Sequence, residues 1–409
     1  MPNRAPNMVP ESFGALRGLR IISTGTRITG PYAAHMAGDY GAEVIQVEPP
    51  GKGDSWRAEE YTWNGVNVHW AHDRRNAFYI TLDLSKPDGR DVFLNDLIPQ
   101  CDIWVENSKP GTYPALGITD AAVKAKNPKI VIAHVSPFGQ TGDPEYTQRS
   151  LSNLVMQAAG GLMYTTGEVD QTPVSAPVHG GEKIVALFAM WSMLAAYIHA
   201  EKTGKGQVLD IAEYECINKI TSGTMPMFFV DGAVRERTGN RAGAFQPYDT
   251  FMANDGWLFI GAISMPIFRR SLSVIGLDPA DEKWSGAFGN PNSAEGREYD
   301  GVLRAWVGER TVAEVVRILN ENTIPCGPVN DPQQAADDPH FVSRKIHEEW
   351  NDDQVGRIKG VRPVPWFSKT PGKVWRGSVK VGNDNDSVLT KVAGLDRTKL
   401  NSLKSKGVI

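Results

Sequence analysis

The first readable pattern is LRIISTG at Leu19–Gly25, a short β-branched run stopped by glycine. Pro31 then stands at the head of an alanine-rich stretch to Tyr40, after which EVIQVE at Glu43–Glu48 returns to strand texture. Strand, helix and strand within about 30 residues make a βαβ unit, which requires parallel pairing and a right-handed crossover. Apolar runs at Ala77–Leu82, Asp102–Val105 and Ile130–His134 alternate with helical patterns at Asp88–Pro99 and Asp120–Lys126. The parallel sheet is therefore expected to continue to about residue 150. A long apolar helix over 183–202 ends at Gly204–Gly206, and QVLDIAEYE reads as one more strand feeding a helix.

The texture changes at Tyr248. YDTFMANDGWLFIGAI predicts a hairpin turning at Asn254-Asp255-Gly256, residue types suited to positive φ. Further on, Thr311 and Glu314 predict a capping box ahead of the apolar face Val315, Ile318 and Leu319. The reading is an α/β fold: a large Rossmann-like parallel-sheet domain over 1–222, a smaller α/β domain with its linkers over 223–338, and a return to the large domain over 339–409. That return is read as loops around Pro363, Pro365 and Pro371, then a final helix near Thr398–Lys406.

Composition narrows the classes. The 409 residues are 41% apolar, enough for a sizeable core, and the net charge of −4 comes with scattered basic residues, so nucleic acid is not an expected partner. The start, MPNRAPNMVPESFG, is polar and lacks the pattern of a secretory leader. The apolar stretch Ile184 to Ile198 falls short of the roughly 18–20 residues that cross a bilayer, so no membrane span is expected. Cys101, Cys216 and Cys326 are too far apart for a CxxC site and odd in number, which fits a reducing cytoplasm. The eight histidines form no HxH or HxxxH pair, so no metal site is expected. Gly25 to Gly30 with Glu48 mimics a dinucleotide fingerprint, but the glycine spacing is wrong and Pro31 removes an N–H from the helix start. A nucleotide-binding oxidoreductase is left as a distant alternative.

One stretch carries more. From Gln157 to Val208 the chain shows Gly160-Gly161 followed by Thr166-Gly167, a proline-rich loop, a long apolar helix and Glu201-Lys-Thr-Gly-Lys-Gly206. With TRITGPYAAHMAGDYGAEVIQVE, WVENSKPG, NPKIVIAHVSPFGQTG and IPCGPVNDPQQAADDPHF, it resembles the class III CoA-transferases, which include formyl-CoA, L-carnitine and benzylsuccinate CoA-transferases. These segments run in order across nearly the whole chain, and the likeness looks closest to the carnitine type.

The resemblance implies two chains threaded as interlocked rings, with CoA on the large domain and the small domain of the other subunit over the reaction centre. It implies exchange of a CoA thioester, for example succinyl-CoA, with a small carboxylic acid, carnitine-like and arylsuccinate-like acids being candidates. The route runs through acyl anhydrides and an enzyme–CoA thioester, with no metal, no ATP and no tightly bound cofactor. Counted back from Lys202-Thr203-Gly204, the position of the family's nucleophilic aspartate falls on Glu182. Family positions that face CoA are retained at Arg27, Thr29, Arg75, Asn76, Asn107, Lys109 and Phe138. Arginines that face CoA phosphates in relatives are replaced by Pro49 and by Ala115-Leu116, and the loop that covers the intermediate is Gly243, Ala244, Phe245 and Gln246. Read structurally, Glu182 is a first-turn carboxylate favoured by the helix dipole. Trp191, Phe245 and Trp366 either line an apolar pocket or fill the core. The resemblance thus leaves two readings: a non-nucleophilic subunit beside a homologous Asp-bearing chain, or a self-sufficient homodimer that uses Glu182.

Overall fold

The computed structural model describes residues 4–150, 152–177, 179–221 and 223–409, so the first three residues of the polar start lie outside it. Two compact units are present, a larger one of Met1–Leu162, Ala176–Ser222 and Ser343–Ile409 and a smaller one of Met163–Ser175 and Gly223–Val342.

The larger unit is built on β1 (Arg20–Ser23), α1 (Thr29–Gly38), β2 (Glu43–Glu48), β3 (Phe78–Thr81), β4 (Ile103–Glu106) and β5 (Val131–Ser136). After α2 (Asn153–Ala159) and α3 (Gly180–Thr203) come the edge strand β6 (Val208–Ala212) and α4 (Glu213–Ile220). The six strands pair in the order β3-β2-β1-β4-β5-β6, all parallel. Strands β1 to β5 are buried at every position, which is why their central residues read as short apolar runs, with buried polar residues such as Arg20, Glu43, Gln46 and His134 among them. Alternation divides their side chains between the two faces: Ile21, Val44, Tyr79 and Val105 pack under the alanines of α1 and α3, while Ile22, Ile45, Ile80 and Trp104 pack with Phe93, Leu389 and Leu403.

Strand order reverses between β1 and β4, and such a reversal opens a crevice at the carboxyl ends of the strands. The helix expected over Asp88–Pro99 is broken into a short α-helix Pro87–Asp91, a wider turn Val92–Leu97 and a tight turn Ile98–Gln100, because Pro99 has no N–H to continue the ladder. Helix α3 has 24 residues and is long and apolar enough to cross a membrane by length and composition, longer than the sequence reading allowed. Its Val185, Ala189, Met193 and Ala196 row is buried in the core of this unit, and Leu187, Trp191 and Ile198 are exposed.

The smaller unit holds β7 (Tyr248–Met252) and β8 (Trp257–Gly261), antiparallel across the expected turn, with Leu258 opposite Phe251. The capping box at Thr311 and Glu314 starts α5 (Val312–Glu321), and Asp255 in the hairpin turn also accepts from the Val312 N–H at 2.7 Å. A third strand, β9 (Cys326–Pro328), completes the sheet on the β8 side. Phe251, Leu258, Phe268, Tyr299 and Leu319 form its core. Residues before 223 also belong here: Arg237 donates to the Tyr164 carbonyl at 2.8 Å, and the Tyr164 hydroxyl donates to Glu236 at 2.7 Å.

The C-terminal return is more ordered than a run of loops. It contains the antiparallel hairpin β10 (His347–Asp352) and β11 (Gly356–Val361), a polar pair whose buried apolar anchor is Trp350, before α6 (Arg397–Ser405) buries Leu400 and Leu403.

Candidate functional site

Asn107, just past β4, ties the two sides of the crevice together. Its side-chain oxygen accepts from the Thr26 N–H at 2.8 Å, and its amide nitrogen donates to the Thr26 carbonyl at 2.9 Å and to the Thr29 hydroxyl at 3.1 Å. A side chain at Gly25 would put Cβ 2.7 Å from the Asn107 oxygen and 2.8 Å from the Pro31 ring, so only glycine allows this approach. Thr29 and Asn107 are thus brought together at the strand-order reversal.

Arg27 lies beside them in a left-handed conformation (φ 58°), its N–H on Asp54 at 2.8 Å and its half-exposed guanidinium on Glu59 at 2.5 Å. Beneath it the fully buried Arg74 reaches the Arg27 carbonyl and lies 4.8 Å from the centre of the Trp70 ring. Lys109 is exposed and donates to the Gln148 carbonyl at 3.3 Å, on the rim of a cavity of about 600 Å³. Phe138 lines a neighbouring cavity of about 590 Å³ with Tyr146, Tyr214 and Arg149, its ring 5.6 Å and 5.3 Å from the two tyrosine rings.

Arg75 and Asn76 are placed differently from the other five. Arg75 is buried, paired with Asp39 at 2.6 Å, donating to the Val361 carbonyl at 2.8 Å and stacked over Trp350. Fully buried Asn76 donates to Asp39 at 2.7 Å and to the Lys373 carbonyl at 2.9 Å, and accepts from the Trp375 and Arg376 N–H groups. Every hydrogen-bonding position of that amide is taken by the protein. The two residues pin the C-terminal return to the segment ahead of β3.

Glu182 sits in the first turn of α3, where the helix dipole favours negative charge. Its side chain is 16% exposed, and the His179 Nδ1 lies 2.8 Å from its carboxylate. His179 caps this helix start in a left-handed conformation (φ 59°), a strained state for a residue with a Cβ. Its Nε2 lies 2.8 Å from Glu60 Oε1, a charge pair without good hydrogen-bond angles. Burial works against a charged imidazole, but Glu60 and Glu182 outweigh it and hold the His179 pKa above its usual value. At Gly181 a Cβ would fall 2.8 Å from Asn153 Oδ1 and 3.0 Å from the Met156 methyl, so glycine lets α2 close against this helix start. Next to Glu182, Lys183 pairs with Asp73 at 2.8 Å; burial opposes that carboxylate's charge, yet His72 and Lys183 hold its pKa well below the usual range.

Sequence reasoning passed over four members of this unit. His179 and Glu60 are one pair; the i, i+3 spacing of His179 and Glu182 across a helix start was the available signal. Glu213 is the third, buried in the first turn of α4, where burial, opposed by the Thr29 hydroxyl and reinforced by the charge of Glu182, lifts its pKa to about 7. The fourth is His134, held between Glu106 at 2.6 Å and Asp120 at 2.9 Å; burial opposes its charge, but the two carboxylates raise its pKa to about 9.

In the smaller unit Gly243 and Ala244 are exposed. Phe245 packs against Phe288 and Tyr248, and buried Gln246 donates to the Ala287 and Gly296 carbonyls at 2.8 and 3.1 Å, so these two anchor the segment in its own core. Trp191 and Trp366 are each 60% exposed and fill no core. Among the described residues no group of three His, Cys, Asp or Glu is placed to hold a metal ion.

A carboxylate on a helix start with an imidazole beside it can accept an acyl group, and that imidazole, when protonated, can stabilise the oxyanion formed on the way. The chain is 35% identical over 411 residues to the bile acid CoA-transferase BaiK of Clostridium scindens, covering 98% of this chain and 91% of that one. It is 31% identical over 404 residues to the alpha subunit of succinyl-CoA–L-malate CoA-transferase from Chloroflexus aurantiacus, covering 96% and 92%. Its fold matches the crystal structure of a CAIB/BAIF family protein from Brucella suis with a TM-score of 0.82 at 24% identity, over 93% of this chain and 100% of that one. The family model for CoA-transferase family III matches residues 16–385, and the chain belongs to that family.

Proposed function

We propose that this chain moves CoA between an acyl-CoA thioester and a free carboxylic acid, with Glu182 as the carboxylate that accepts the acyl group. The observation that carries the reading is the Glu60–His179–Glu182 arrangement, with both separations 2.8 Å, at the first turn of α3. In the first step Glu182 attacks the thioester carbonyl and the thiolate leaves, giving a mixed anhydride. The thiolate then attacks the glutamyl carbonyl, releasing the donor acid and forming a glutamyl-CoA thioester. The acceptor carboxylate reverses the two steps, so no metal, ATP or tightly bound cofactor is needed. His179, whose charged form Glu60 and Glu182 favour, orients Glu182 and faces the developing oxyanion.

CoA is assigned to the crevice at the reversal of strand order, with Thr29 and Asn107 at its base, Arg27 and Lys109 on its polar side and Phe138 offering an aromatic face. Arg75 and Asn76, whose polar groups are taken up by Asp39 and the C-terminal return, are left out of this assignment. Gly243 and Ala244 are the part of the covering segment free to meet a ligand. The free cysteines are in keeping with a reducing cytoplasm. We take the working form to hold two chains, either identical or homologous. Succinyl-CoA is the donor to try first, and the acid substrate is a small carboxylic acid.

A second reading has its own support. Pro49 and Ala115 are exposed at positions where relatives carry phosphate-facing arginines, and one relative is itself named as an alpha subunit. In that reading the chain is the non-nucleophilic member of a heteromer. Co-expression with a homologous Asp-bearing chain and acyl labelling separates the two: label on Glu182 supports the first reading, and label confined to the other chain supports the second.

A further inference from the structure

A cavity of about 300 Å³ in the larger unit has no part in the steps above. Met36 and Tyr40, at the end of α1, line it together with Met190 and Leu194 of α3 and with Arg362 and Phe367 of the C-terminal return. The Tyr40 ring lies 4.8 Å from that of Phe367, and the Tyr40 hydroxyl donates to the Pro365 carbonyl at 2.6 Å, so the protein itself holds this wall in place. Thr29, at the base of the CoA crevice, starts α1, and the 10 residues of that helix set its two ends about 15 Å apart. None of Asn107, Lys109, Phe138, Glu60, His179 and Glu182 borders the cavity.

Most of the lining is apolar, yet it includes Arg362, which is only 8% exposed. Its Nη1 donates to the Pro363 carbonyl at 3.0 Å and its guanidinium lies 4.8 Å from the centre of the Trp366 ring, but its Nε is buried with no acceptor. Among the described residues Arg362 forms no ion pair: Asp39, on the same cavity, is taken by Arg75 at 2.6 Å and by Asn76 at 2.7 Å. Glu348 of β10 acts on Arg362 from further off, and burial, reinforced by Asp39 and opposed by Arg75 and Arg362, pushes its carboxyl above its usual value. His72 brings a second unmatched atom to the lining, its Nδ1 on Asp73 at 2.7 Å and its Nε2 buried without a partner. A buried guanidinium without a direct counter-ion is destabilising, and an anion that carries its own apolar body relieves it.

We propose that this cavity is a binding site, separate from the CoA crevice, for a monocarboxylate with an apolar body, its carboxylate on Arg362 and its body between Met36, Tyr40, Met190 and Leu194. A carboxylate matches a guanidinium in planar geometry, and its single charge answers the single unpaired cation. A phosphate brings a second charge with no cation left to meet it, and a neutral alcohol of the same length leaves Arg362 as it is. At about 300 Å³ the cavity lies at the small end of the sites that take such molecules.

The test is titration calorimetry on the full chain with decanoate, decanol and decyl phosphate, comparing wild type, Arg362→Gln and Leu194→Trp. Wild type should bind one decanoate per chain, more tightly than either other probe and unaffected by saturating CoA. Arg362→Gln should weaken decanoate by about 10- to 100-fold, to the level of decanol. Leu194→Trp fills the cavity from its apolar side with Arg362 still in place and should abolish binding, so the inference stays testable where Arg362→Gln fails to fold. Exchange of succinyl-CoA with labelled succinate should persist in Leu194→Trp, and its loss in a folded variant overturns the separation from the transfer site. No decanoate bound by wild type, equal binding by Arg362→Gln, displacement by CoA, or tighter binding of decanol or decyl phosphate overturns the inference. Leu187 on the lining is exposed, so a second chain is the rival occupant. Sedimentation showing that Leu194→Trp loses a two-chain species, with no decanoate bound by wild type, assigns the cavity to an interface and overturns the inference as well.

Discussion

His179 Nδ1 lies 2.8 Å from the Glu182 carboxylate, and against the effect of burial Glu60 and Glu182 hold the imidazole's pKa above its usual value. The two carboxylates thus favour a positive charge on the imidazole before any substrate arrives. Such preorganised charge does not have to rearrange as the oxyanion forms.

His179→Gln should therefore cost about 100-fold in kcat/KM, the scale of losing one oxyanion-stabilising group. The folded pKa of His179 is raised, so the charged form persists to higher pH than in the free side chain and the activity it supports is lost as pH rises through that pKa. A pH profile of the variant should have lost this one-proton component. An unchanged profile and rate would show that His179 only caps the helix.

Asn76→Ala removes an amide whose donors and acceptors are all used inside the protein, and it should destabilise the fold by about 2–3 kcal/mol. Its effect on the KM for acyl-CoA should be small. Thermal melting and steady-state kinetics on one preparation check both halves, and a large KM change with an unchanged melting point would return Asn76 to the ligand-contacting set.

His134 gives a pH-dependent stability with a defined sign. Its folded pKa is about 9 against 6.5 unfolded, so the stabilisation by Glu106 and Asp120 is fully present below about 6.5 and is lost as pH rises through about 9. The whole effect is about 2–3 kcal/mol, since Asp120 is half-exposed and partly screened. Urea melts of wild type and His134→Asn should differ most near pH 6 and converge by about pH 10, and a difference independent of pH would contradict the ion-pair account.

Much of the larger unit was legible because its strands are buried on both faces and so appear as contiguous β-branched runs; β1, α1 and β2 lie within a few residues of their expected bounds. The hairpin β10 and β11 was not, since HEEWND and GRIKGV carry almost no apolar alternation and pair along one edge around Trp350. Strand β9 escaped because it is three residues long and contains glycine and proline, both poor strand signals. Entry into the smaller unit ahead of residue 223 leaves no local mark at all. At the site, Glu182 came from family register, not from its own chemistry. Arg75 and Asn76 have residue types that suit a ligand equally well, and only burial tells the two uses apart. Glu60 and Glu213 join Glu182 through tertiary folding, so no spacing rule would have found them.

The exposed Leu187, Trp191 and Ile198 on α3 suit a surface covered in a two-chain assembly. Sedimentation at micromolar concentration should give a species of about twice the 44.8 kDa chain mass, and Trp191→Glu should weaken it. A single 44.8 kDa species at that concentration would contradict the assembly.

The central claim is that Glu182 itself carries the acyl group. Incubation of the chain, expressed alone, with succinyl-CoA followed by borohydride should reduce the glutamyl thioester at Glu182 to an alcohol, seen by peptide mass spectrometry at that residue and absent in Glu182→Gln. Succinyl exchange without any modification at Glu182, or exchange that survives in Glu182→Gln, would contradict it.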